Sequence, residues 1–145
     1  MAEARRDDAP GADTYFQTRG VASVKWDEPN KTVHVEWEGW ANSTEFAALL
    51  DAGIRALKEH AGSLWLADCR RQKVLRPDDQ DRADREWLPK AAATGLKRFA
   101  VVLPESGLAA TNIKQKQATI SAQVQVGYFT TVDEAREWLL SRPAP

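Results

Sequence analysis

The chain has 145 residues, enough for one domain with a real core, and its 20 Lys and Arg against 21 Asp and Glu leave a net charge of -1. That balance supplies no field to draw nucleic acid or an anionic bilayer, and the single cysteine, Cys69, excludes an internal disulfide. No run approaches the roughly 18 apolar residues of a membrane span, and the charged opening MAEARRDDAPGAD lacks the apolar stretch of a secretory leader, so a cytoplasmic location is expected.

Residues 1–14 are rich in charge, Ala and Gly and poor in large apolar side chains, so they are expected to form a tail. A single domain is expected over 15–140, with 141–145 as a C-terminal tail. Val21 to Asp27 places Ala22, Val24 and Trp26 on one face, and Thr32 to Trp40 alternates Val33, Val35 and Trp37 with His34, Glu36 and Glu38. Between them, Glu28-Pro29-Asn30-Lys31 has turn chemistry, with Asn30 tolerant of a left-handed backbone, and predicts a hairpin.

Asn42-Ser43-Thr44-Glu45 has the form of a capping box, and it opens a predicted helix with Phe46, Leu49, Leu50, Gly53, Ile54 and Leu57 along one stripe, ending near Gly62. Ser63 to Asp68 is apolar on both faces up to its last residue, as a central strand covered on each side would be. Pro77 fits a first helical position, and Asp78, Asp79 and Asp81 complement the helix dipole. This helix is expected to pass through Ala83, Trp87, Leu88 and Ala91, to kink at Pro89 and to stop at Gly95. Phe99 to Leu103 predicts a second buried strand, Leu108 to Ala122 a weakly amphipathic helix, and Val124 to Phe129 the last strand. A second capping box, Thr131 to Glu134, starts a helix carrying Ala135, Trp138 and Leu139. The order ββαβαβαβα is that of an α/β fold, a mixed sheet with helices packed on it.

That order, together with LWLADCRR, PDDQ with REWLP, GLKRFAVVLPES and YFTTVDEAREWL, resembles the STAS and SpoIIAA-like domains, and most narrowly the stand-alone bacterial proteins described as STAS or SEC14-like. In antagonist members of that family, a serine at the start of the helix after the central strand is phosphorylated by a partner kinase. The resemblance places the corresponding stretch near Arg76, Pro77 and Asp78, where no acceptor hydroxyl exists. The inherited phosphoswitch is therefore expected to be missing, and acids such as Asp78 read first as caps of the helix dipole.

Chemistry-bearing residues are sparse. His34 and His60 have no Cys or carboxylate spacing that forms a closed metal site, and no Gly-x-Ser-x-Gly elbow, Walker loop or dinucleotide fingerprint occurs. No catalytic, cofactor or metal site is expected. Cys69 precedes Arg70 and Arg71, which could stabilise a thiolate, but an inert packed thiol is the favoured reading. Arg70, Arg71, Lys73 and Arg76 form the densest basic loop, suited to an anionic group on a ligand or partner, or else paired with Asp78, Asp79, Asp81 and Asp84. Trp26, Trp37, Trp65 and Trp138 fall on apolar faces, whereas Trp40 and Trp87 are candidates for a partner contact or pocket wall.

These features point to a non-enzymatic, STAS-like regulatory or protein-interaction domain whose binding residues are Trp40, Arg70, Arg71, Lys73, Arg76, Asp78 and Trp87. Another protein is the expected partner, and symmetric self-association is compatible with a small α/β domain. The alternative is a carrier or sensor of a small amphipathic, lipid-like ligand.

Overall fold

Three antiparallel strands open the sheet, β1 (Ala12–Thr18), β2 (Ala22–Asp27) and β3 (Thr32–Trp37), and three parallel strands extend it, β4 (Leu64–Asp68), β5 (Arg98–Val102) and β6 (Gln125–Phe129). The computed structural model describes residues 12–72, 77–104 and 124–141. Spatial order follows chain order, β1-β2-β3-β4-β5-β6, in one six-stranded mixed sheet. The fold is therefore α/β. The expected helix over Leu108 to Ala122 lies outside the described residues.

β1 corrects the expected boundary of the tail, because residues 12–14 belong to the sheet. Its pairing slips between Thr14 and Phe16, leaving Tyr15 as the extra residue of a bulge, and that slip erases the period-two signal a strand would show. Tyr15 anchors the bulge to helix α1 (Ser43–His60): its hydroxyl donates to Glu59 Oε1 at 2.7 Å and lies 3.0 Å from His60 Nε2. His60 in turn stacks on Trp26, with centroids 4.4 Å apart, and sits 3.3 Å from Asp13 Oδ2.

The hairpin forms as expected, but the left-handed residue of its turn is Lys31, with φ 51°, while Asn30 donates its amide to Asp27. The strand also ends at Trp37 rather than Trp40, because Glu38 and Gly39 turn their amides onto the Val21 carbonyl. α1 begins at the expected capping box, in which Asn42 Oδ1 accepts from Glu45 N–H at 2.7 Å and Asn42 N–H donates to Glu45 Oε1 at 3.0 Å.

The following helical segment is interrupted: α2 (Pro77–Arg82) passes into a π-helical stretch, Ala83–Trp87, before α3 (Leu88–Thr94). Pro89 has no N–H for the Arg85 carbonyl and its ring crowds that turn, so the widening lies one turn ahead of the proline instead of at it. Helix α4 (Val132–Leu140) is the last described element, starting where Thr131 Oγ1 accepts from Glu134 N–H.

The sheet has a core on each face. On one, Val24, Trp26, Val33, Val35 and Trp65 lie beneath α1 and α3, together with Leu49, Leu57 and Ala91. On the other, Leu66, Ala100 and Val102 meet Ala135 and Leu139 of α4. Alternation along β4 thus sends Trp65 to one core and Leu66 to the other, as the doubly apolar strand implied. Arg98 fastens α4, donating from Nη1 to the carbonyls of Trp138 at 2.6 Å and Ser141 at 3.0 Å, where the negative end of the helix welcomes a cation.

Candidate binding surface at the carboxyl ends of the parallel strands

β3 and β4 run side by side with Glu36 opposite Asp68, so the loops that follow them emerge at the same end of the sheet, where α/β folds place sites. Two candidates come from these loops. Trp40 and Arg71 each lie three residues beyond the ends of their neighbouring strands.

Trp40 is 49% exposed, whereas Trp26, Trp37, Trp65 and Trp87 are buried. Its loop is well anchored: the Glu38 N–H donates to the Val21 carbonyl at 2.9 Å, and Glu38 Oε1 accepts from Gly20 N–H at 3.0 Å. A Cβ on Gly39 would strike the Gly20 carbonyl oxygen, so the two loops approach as closely as they do only with glycine there. The chain thus leaves about half of a large apolar side chain in water on a fixed loop.

The loop after β4 is organised by Asp68. This carboxylate is 6% exposed and accepts a two-pronged contact from Arg70, Nε to Oδ1 at 2.9 Å and Nη2 to Oδ2 at 2.7 Å, plus the Arg70 backbone N–H at 3.2 Å. Desolvation alone would raise the Asp68 pKa, but the hydrogen bonds from Arg70 outweigh it and hold the carboxyl below the usual aspartate range. Arg70 is consequently committed within the loop. Arg71 approaches Glu36 at 3.9 Å with both side chains largely in water, a loose pair of small energetic weight.

Among the described residues, Asp68 and Glu36 face Arg70 and Arg71, partners not expected from the sequence, while the side chains of Asp79 and Asp84 lie outside the described residues. The reason is local: a carboxylate at the strand end is two residues from Arg70 and already desolvated. Asp78 is exposed near the start of α2, and Lys73 and Arg76 lie outside the described residues. Trp87 is not exposed as a partner contact would be, although it does line a cleft with Leu50 and Glu86. It is buried in the core, edge-on to Trp65 and Phe99, and its Nε1 donates to the Leu50 carbonyl at 3.3 Å, so it is not a surface anchor.

Cys69 keeps some accessible surface, yet the sulfur is so enclosed that burial, with the Asp68 charge adding to it, pushes the thiol up to about 12. The flanking arginines do not offset that, because Arg70 has turned its charge onto Asp68. His34, on the face opposite the larger core, is held below the ordinary histidine range first by desolvation and then by Arg136. Among the described residues no group of His, Cys, Asp and Glu is placed to hold a metal ion, and no helix is long and apolar enough to cross a membrane.

Two groupings went unread in the sequence: the Tyr15, Glu59 and His60 cluster, hidden by the bulge, and a charged cleft between α1 and the π-helical stretch, whose walls are distant in the chain. No family model, curated protein or solved structure matches this chain.

Proposed function

We propose that the chain is a STAS-like, non-catalytic domain that works by binding another protein through the end of the sheet where Trp40 and Arg71 emerge. The observation that carries this reading is Trp40, a half-exposed tryptophan on an anchored loop, which leaves in water a large apolar surface that a partner can cover. Arg71 supports it as a cation with only a loose partner, able to reorient toward an acidic group on a second protein. Arg70 has a different part, fixing the loop rather than meeting the partner. Between Cys69 and Ala93 the chain has no serine or threonine, so association in this reading is governed by partner availability instead of phosphorylation at the helix start.

A lipid-like cargo finds less support. The cleft beside Trp87 has a volume of about 110 Å³, below the roughly 300–1,000 Å³ usual for drug-sized ligands, and the larger depression over Phe129 and Trp138, about 450 Å³, is wide open to solvent and edged by Glu134 and Glu137. A photo-crosslinking residue at position 40, introduced in the native host, tests the protein-binding reading. One discrete adduct that disappears when Arg71→Glu is added supports it; no adduct beyond those from a crosslinker at exposed Glu59 rejects it.

A further inference from the structure

The cleft between α1 and the π-helical stretch has an apolar floor and a rim carrying both signs of charge. Phe46, Leu50 and Trp87 form the floor, while Asp51, Arg82, Glu86 and Lys90 stand around it. Because the indole N–H of Trp87 is already bonded to the Leu50 carbonyl, the ring turns no unsatisfied polar atom toward the cleft.

Arg82, Glu86 and Lys90 follow one another at four-residue spacing, which in a regular helix brings opposite charges into contact, with Glu ahead of Lys the favoured direction. Here the turn between them is widened over Ala83–Trp87, and none of the four rim groups forms an ion pair among the described residues. Among the described residues, two cations and two anions therefore stand without an ion-pair partner around one apolar depression. Its volume, about 110 Å³, is somewhat smaller than the ~150 Å³ apolar cavity that accepts benzene. A branched aliphatic group fits that space.

We propose that this cleft is a binding site for a small zwitterion of the amino-acid class with a branched aliphatic side chain. The side chain occupies the floor over Leu50 and Trp87, Asp51 and Glu86 receive the ammonium, and Arg82 and Lys90 receive the carboxylate. A zwitterion is favoured over a simple anion or cation because the rim offers both signs in equal number. The site is separate from the Trp40 surface and stands or falls independently of it.

The test is a titration of the full chain with L-leucine, followed through the Trp87 indole N–H and Leu50 amide signals in nitrogen-edited NMR spectra. The expected result is a saturable millimolar shift at both. N-acetyl-L-leucine, which lacks the ammonium, and L-leucinamide, which lacks the carboxylate, should each bind about tenfold more weakly. Glu86→Gln and Lys90→Gln alter exposed side chains, keep the fold, and should each weaken leucine binding by about the same factor. Absence of a saturable shift, equal affinity for the three probes, or unchanged leucine affinity in both variants overturns the proposal. Trp40→Ala, which probes the other surface, should leave the titration unaltered.

Discussion

Replacing Arg70 by alanine removes both guanidinium hydrogen bonds from a carboxylate that is 6% exposed, while the backbone N–H of residue 70 can still donate to it. Hydrogen bonds to charged groups contribute about 1.5–3 kcal/mol each. Arg70 is itself 46% exposed, so water and screening replace part of that, and we expect a net loss of about 2 kcal/mol for the pair. For a domain of this size the melting temperature should fall by about 6 °C. The pH dependence fixes the cause. Because the folded Asp68 pKa lies below the unfolded value, its contribution is present above the unfolded pKa and disappears as pH falls through the folded one. Urea unfolding of the wild type and Arg70→Ala should therefore differ fully near pH 7 and converge at acid pH, once Asp68 is protonated in the folded state as well. In the variant, desolvation is less opposed, so the Asp68 carboxyl should titrate at higher pH in carbon-detected NMR. A gap under about 0.5 kcal/mol, or one of equal size at both pH values, would refute the argument.

Other consequences are equally direct. Gly53→Ala should destabilise by about 1–3 kcal/mol in chemical denaturation, despite alanine's better helix propensity, because the new methyl would run into the rigid Trp65 ring. Cys69, with its thiol pushed up to about 12, should react with a disulfide reagent in the native state roughly a thousandfold more slowly than in denaturant. Tyr15→Phe deletes the hydroxyl that joins β1 to Glu59 and His60, and should cost about 1 kcal/mol and selectively speed amide exchange in 12–18.

Much of the frame was legible because each of its signals is local. Asn42 and Glu45 lie three positions apart and can satisfy each other without any tertiary contact, so the start of α1 could be placed to the residue. β4 was readable because a strand buried on both faces must be apolar throughout, and Trp65 and Leu66 indeed serve opposite cores. β1 was hidden by its bulge at Tyr15, which shifts the side chains by one and breaks the alternation. The candidate surface was read only in part. Exposure of Trp40 follows from Gly39 and the strand exit, but the burial of Trp87 depends on Trp65 and Phe99, far away in the chain. The commitment of Arg70 to Asp68 could have been suspected from their spacing, since a carboxylate at the end of a buried strand needs a cation nearby.

The binding account rests on Trp40, and its most direct measurement is the affinity of the partner crosslinked at that position, purified and titrated against wild type and Trp40→Ala. Removing a tryptophan at an interface centre costs about 2 kcal/mol or more, so the dissociation constant should rise at least about thirtyfold. The melting temperature should fall by no more than about 5 °C, because about half of the side chain is already in water. An affinity unchanged by Trp40→Ala would contradict the account.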